Sequence, residues 1–187
     1  MKPHYFIGIK IPKDIAENLA TERESWQLQS HKRLTPAQDM HITLLFIGED
    51  VHSEIDQVEK MLGTIKQKAF TVSINGIKSF GNPSTPRIIY ASLETSQELD
   101  KLQQQVHKSV EPLQIKPDPK KFVPHITLAS RWAGGEPTER QFSIATMRFD
   151  VTEFSLFRIA PKEMPRYQKI ANYKLENAST TSKGECL

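Results

Sequence analysis

The sequence predicts an α+β fold made twice: two antiparallel sheets with helices outside, related by a pseudo-two-fold axis around a central cleft. Three observations predict it. The tetrapeptide HITL occurs at 41–44 and again at 125–128. An aromatic residue in a β-prone stretch stands 35 residues before each copy, Phe6 before His41 and Tyr90 before His125. An amphipathic stretch of helical period fills both intervals. Downstream, FTVS begins 29 residues after His41 and FDVT begins 24 after His125, so the order of elements repeats as well.

The first strand is YFIGIKI (5–11), ended by Pro12. Ile15, Leu19 and Trp26 then recur at helical spacing over 13–27. After a polar loop, MHITLLFIG (40–48) is a strand that stops at Gly48, and Ser53 is positioned to cap the next helix. Ile55, Val58, Leu62 and Ile65 form that helix's apolar stripe. Strands follow at 70–80 and 87–93, joined by the turn-forming GNPSTP. Thr95 and Glu98 have capping-box spacing ahead of a third stripe, Leu99, Leu102, Val106 and Leu113. KPDPKK (116–121) reads as a stiff basic linker into the strand FVPHITLAS (122–130). A loop at WAGGEPTE, a short helix over about 138–146, and strands at 148–159 and 167–175 complete the expectation. Residues 1–176 are expected to form one domain of two lobes, and the small polar tail 177–187 to be disordered.

Composition narrows the classes. The 187 residues are 37% hydrophobic and 25% charged, in the range of soluble globular chains. No apolar run approaches the roughly 20 residues that span a bilayer, and the N-terminus reads as a strand rather than a leader. A single cysteine, Cys186, provides neither a disulfide framework nor a cysteine zinc site. A cytoplasmic monomer without a membrane anchor or an obligate protein partner is the resulting expectation. The net charge of +3 permits a polyanionic partner without demanding one.

Strand alternation gives the two tetrapeptides their chemistry. On a regular strand His41 and Thr43 share one face while Ile42, Leu44 and Phe46 share the other. In the second copy His125 and Thr127 oppose Ile126 and Leu128 in the same way. The Ile/Leu faces suit packing on helices, which leaves the His/Thr faces to the cleft. Two imidazoles across a cleft can divide proton transfer, one as general base and one as general acid. Threonine hydroxyls can hold oxygens on which negative charge gathers. Such a set requires neither cofactor, metal nor covalent nucleophile, and it suits in-line displacement at a phosphodiester.

The paired H-x-T-x motifs, with the flanks YFIGIKIP, HITLLFIGE, PRIIYASL and FVPHITLA, resemble the two-histidine (2H) phosphoesterase superfamily. Within it the chain is most similar to the RNA 2′,3′-cyclic phosphodiesterases, also called 2′-5′ RNA ligase-like proteins, over about residues 4–175. The resemblance implies a bilobal fold and hydrolysis of RNA ends bearing a 2′,3′-cyclic phosphate to 2′-phosphomonoesters. It assigns His125 as proton acceptor from water, His41 as proton donor to the departing 3′ oxygen, and Thr43 and Thr127 as phosphate ligands. The family often continues its second motif as H-x-T-L-x-R. Here that position is Ser130, and the arginine comes next, at Arg131. On a regular strand Arg131 would share the face of His125 and Thr127 while Ser130 faced the core.

Other residues are weaker candidates. Lys120, Lys121 and Arg131 could steer a phosphate backbone. Among Phe46, Phe122 and Trp132 as base-stacking residues, Phe46 is assigned to the core by alternation, which favours Trp132. His4, His31, His52 and His107 lack the threonine context and are read as surface or structural. The alternatives are end joining through a 2′-5′ linkage, hydrolysis of a small cyclic nucleotide such as ADP-ribose 1″,2″-cyclic phosphate, and an RNA-end binding module without turnover. A two-histidine metal site is the weakest, because no acidic or cysteine ligand accompanies either histidine at recognisable spacing.

Overall fold

The computed structural model describes residues 3–49, 54–113, 115, 121–134 and 141–177. Its elements are β1 (His4–Lys10), α1 (Lys13–Ser25), β2 (His31–Leu34), β3 (His41–Glu49) and α2 (Ile55–Leu62), followed by β4 (Phe70–Asn82), β5 (Thr85–Leu93) and α3 (Gln97–Val110). The chain then continues through β6 (His125–Trp132), β7 (Met147–Val151), β8 (Glu153–Ile159) and β9 (Tyr167–Lys174). Ser53, His52, Lys120, Cys186, the stretch 116–120 and the tail beyond Asn177 lie outside the described residues. Among those described, no helix is long and apolar enough to cross a membrane.

The strands run in the order β7-β4-β5-β6-β3-β1-β8-β9, with β2 added to β6. Every pairing within this order is antiparallel. Two four-stranded halves, β7-β4-β5-β6 and β3-β1-β8-β9, meet where Ile42 pairs with Ile126. Beyond that contact β3 and β6 part, and β2 takes the edge of β6 that β3 leaves, pairing at Ala129, Ser130 and Trp132. The parting of two strands at the centre of the sheet opens the cleft.

The halves are not two consecutive stretches of chain. The strand after the first HITL, β4, joins β5 in the second half, and β8, after the second HITL, joins β1 in the first. The helices cross likewise: α1 lies against β6, and α3 against β3. Ile7, Leu19, Ile42, Leu62, Ile74, Leu99, Leu102, Ile126, Leu128 and Leu156 are fully buried between these layers.

Local chemistry explains most boundaries. The α3 apolar stripe, Leu99, Leu102, Val106 and Val110, is buried, and Asp100 and Lys108 suit opposite ends of the helix dipole. Its cap is Ser96 rather than Thr95: the Ser96 hydroxyl accepts the Leu99 N–H at 3.2 Å. The expected strand 148–159 is two strands, since β7 pairs with β4 while β8 pairs with β1, and Thr152 marks the change of partner. No helix forms at 141–146; Phe142 instead stacks on Trp26 with ring centroids 4.6 Å apart. The short, mostly polar HKRL, expected as part of a loop, takes strand form as β2 by pairing with β6. The second motif's strand begins at His125 rather than at residue 122.

Both motif strands carry irregularities that alternation could not foresee. In β3 the register against β1 shifts at Leu44–Leu45, so both leucines are buried and the phase then inverts. In β6 the register against β5 shifts at Leu128–Ala129, and these two are likewise both buried.

Gly8 permits the close approach of β1 to β3. A Cβ there would lie 2.6 Å from the Ile42 carbonyl oxygen and 3.3 Å from the Phe6 ring. Gly8→Ala is therefore expected to cost about 1–3 kcal/mol, the range for overpacking a tight interior. Urea denaturation would show this as a lower midpoint, and an unchanged midpoint would refute the close packing.

Candidate active site

The two HITL histidines stand at equivalent places, each opening a strand beside the Ile42–Ile126 pair. His41 Nδ1 lies 2.7 Å from the Asp39 carbonyl oxygen, and His125 Nδ1 lies 2.7 Å from that of Val123. A carbonyl oxygen only accepts, so in both neutral rings Nδ1 carries the hydrogen and Nε2 keeps its lone pair. One local device, a bond to the carbonyl two residues back, thus sets both tautomers.

Each ring also has an aromatic backing. Phe6 lies 4.6 Å from His41, and Tyr90 lies 5.3 Å from His125 between ring centroids. These are the residues 35 places before each histidine. Behind them stand Phe157 on Phe6 at 4.9 Å and Phe80 on Tyr90 at 4.3 Å, both from the exchanged strands. Phe80 touches His125 directly, at 5.0 Å. The symmetry breaks at Tyr167 of β9, whose ring meets that of His41 edge-on at 4.7 Å.

Electrostatically both imidazoles resist protonation. Burial lowers the His41 pKa from 6.5 to about 4; its bond to Asp39 and the nearby Asp39 charge oppose this, and the charges of His125 and Arg33 add to it. Burial lowers that of His125 as well, against its bond to Val123. Two cations facing each other in one cleft are disfavoured for the same physical reason.

Thr43 and Thr127 fall on the histidine side of their strands, half-buried, between the buried Ile and Leu positions. Among the described residues no group hydrogen-bonds either hydroxyl. Thr127 and His41 line a cavity of about 120 Å³ together with Arg33, Thr35, Ser130 and Tyr167. Larger hollows lie elsewhere, beside α3 and beside Lys66–Thr71, away from both histidines.

The irregularities correct three assignments. After the Leu128–Ala129 shift Ser130 turns to the cavity, whereas Arg131 is exposed, with φ +64°. After the Leu44–Leu45 shift Phe46 leaves the core and is 52% exposed, stacked on His4 with centroids 6.3 Å apart. Trp132 is not a free platform either, since it meets the buried His31 edge-on at 5.5 Å. His31 in turn donates from Nε2 to the Pro86 carbonyl at 2.8 Å, a structural role. Lys121 is exposed in the segment leading to β6, Phe122 packs against the core, and His107 borders the hollow beside α3.

Sequence reasoning misses Arg33, Tyr167, Ser130 and Asp39. Asp39 is buried; its carboxylate accepts the backbone N–H of Arg166 at 2.9 Å while its carbonyl orients His41. Its place two residues before the histidine is a usable signal. Arg33 offers none, because its strand is not foreseeable from its own residues. Among the described residues no three His, Cys, Asp or Glu side chains gather as metal ligands.

The lowered values carry a linkage consequence. Folding depresses both histidine pKa values, so the unfolded chain takes up protons first as pH falls. Their contribution is intact above about pH 6.5, the unfolded value, and for His41 is lost as pH falls to about 4. An NMR titration should place the His41 midpoint near 4, and His41→Asn should flatten the stability–pH curve over that window. A midpoint at 6.5 would contradict the burial.

Comparison with known proteins gives consistent likenesses. Residues 12–163 match the model of the 2′-5′ RNA ligase superfamily. The chain is 28% identical over 179 residues to an RNA 2′,3′-cyclic phosphodiesterase of Bacillus subtilis, covering 94% of this chain and 98% of the relative. It is 26% identical to a protein of the same name from Archaeoglobus fulgidus, over 66% of this chain and 69% of the relative. Among solved structures, a Thermus thermophilus protein superposes with a TM-score of 0.79 at 25% identity, over 93% of this chain and 98% of that one. E. coli LigT complexed with 3′-AMP superposes at 0.74 and 22% identity, over 93% and 99%, which bears on the fold alone.

Proposed function

The chain belongs to the 2′-5′ RNA ligase superfamily, and from that premise we propose that it is an RNA 2′,3′-cyclic phosphodiesterase. The observation that carries the reading is the matched pair of histidines, each with Nδ1 tied to the backbone and Nε2 free, on strands that part at the cleft. The names of the relatives support the substrate class, RNA ends carrying a cyclic phosphate.

In the proposed reaction the phosphorus lies between the two imidazoles. Neutral His125 takes a proton from water at Nε2 as the water oxygen bonds to phosphorus. The bond from phosphorus to the 3′ oxygen breaks on the opposite side, and His41 gives that oxygen the proton carried on its own Nε2. A 2′-phosphomonoester and a 3′ hydroxyl result. Thr43 and Thr127 donate to the non-bridging oxygens, the use left open by their unengaged hydroxyls. Phe46, with His4 behind it, offers a face for the terminal base. Burial makes a proton on His41 readily lost, as suits an acid facing a poor leaving group, and the bound phosphodiester's negative charge offsets the cost of placing it there.

Two outcomes test this. With a cyclic-phosphate-ended oligonucleotide, His41→Ala and His125→Ala should each lower turnover by at least ~10²-fold, the product being a 2′- rather than a 3′-phosphate, with chelators without effect. Near-normal turnover in either variant would overturn the mechanism. The pH profile of kcat/KM reports the free enzyme's acid and base. Because both histidine values are lowered from 6.5, it should be bell-shaped with its maximum below pH 6.5.

A further inference from the structure

The cleft holds a positive charge that the two-histidine reaction has not yet used. Arg33 sits on β2 directly across from Ser130 of β6, on the edge that β3 vacates. Its side chain lines the same cavity as His41, Thr127 and Tyr167, and it is the one lysine or arginine among that cavity's lining residues. No carboxylate neutralises it among the described residues. Its hydrogen-bond partner there is the Tyr167 hydroxyl, at a long 3.4 Å, which leaves most of a five-donor guanidinium unengaged. Half-buried arginines are ordinarily paired, and an unpaired one beside unengaged hydroxyls is a seat for an anion.

We propose that Arg33, with the hydroxyls of Tyr167 and Ser130, forms the anion seat of the cleft, holding a non-bridging phosphate oxygen and countering the charge that gathers on it during displacement. The assignment rests on the phosphodiesterase reading for the reaction, though not for the binding of phosphate itself. The seat lies on the His41 side, since its lining includes His41 and Thr127 but neither His125 nor Thr43. A phosphoryl group there meets Thr127 from one strand and Arg33 from its neighbour, and it places negative charge against His41. That arrangement answers the difficulty posed by the buried imidazole. In the free protein the Arg33 charge helps to keep His41 neutral. Once an anion is seated, that charge is answered and His41 can hold its proton. Arg131, exposed and turned outward by its left-handed backbone, is not in a position to do this.

Arg33→Ala, Arg33→Lys and Tyr167→Phe test the seat in two arms. In the first, inorganic phosphate is titrated into the protein and followed by the NMR resonances of His41. Arg33→Ala should weaken phosphate at least ~10-fold, as loss of a charge-assisted contact does, Arg33→Lys should fall between, and Tyr167→Phe should weaken it less. Without phosphate, the His41 midpoint should move upward in Arg33→Ala, because a neighbouring cation has gone and Asp39 and His125 remain. In the second arm, Arg33→Ala should lose about 10²–10³ in kcat/KM and regain several-fold with added guanidinium ion, whereas His41→Ala should not.

Unchanged phosphate affinity in Arg33→Ala overturns the seat, even if the His41 midpoint moves, because Arg33 would then only tune the imidazole. Absence of guanidinium rescue together with unchanged affinity overturns it too. If the wild-type protein fails to open the cyclic phosphate yet binds inorganic phosphate through Arg33, the seat stands and the proposed reaction falls.

Discussion

The pairing of Ile42 with Ile126 is the constraint on which the rest of the molecule depends. Both side chains are fully buried, and each is the residue immediately after a candidate histidine. Fixing the two isoleucines against each other therefore fixes the two imidazoles with respect to one another, without any direct bond between the histidines. The parting of β3 and β6 beyond that pair makes room for a ligand. The hydrophobic contact and the cleft are two ends of one crossing.

The pseudo-symmetry is imperfect in ways that differentiate the two histidines. Both have a tautomer set by a carbonyl two residues back and an aromatic neighbour from the adjacent strand. Tyr167, Arg33 and the buried carboxylate of Asp39 all gather on the His41 side. Two chemically identical side chains thus lie in different fields, the condition under which one can serve as acid and the other as base.

Much of this is legible in the sequence, for a physical reason: the period of a strand and the period of a helix are fixed by backbone geometry. The 35-residue offset identifies Phe6 and Tyr90 as equivalent, and they are the rings that back the two histidines. The stripes of α2 and α3 are legible because burial repeats with the helical turn. What escapes is anything decided by a neighbouring strand. Alternation assumes an unbroken ladder, so the shifts at Leu44–Leu45 and Leu128–Ala129 invert the faces of Phe46, Ser130 and Arg131. The paired apolar residues at those steps, where alternation would place only one, are the trace left in the sequence. β2 carries almost no signal of its own and is a strand because β6 offers it an edge. With it goes Arg33.

The exchange of β4 and β8 between halves interlocks the two repeats. Each repeat lends a strand, β4 or β8, and the aromatic ring on it, to the histidine of the other: Phe80 backs His125 through Tyr90, while Phe157 backs His41 through Phe6. Neither repeat is complete without its twin. A substitution on either lent strand is therefore felt in the pocket of the other repeat's histidine. The unit of structure is the interlocked pair rather than either repeat, and each HITL histidine is housed by rings drawn from both.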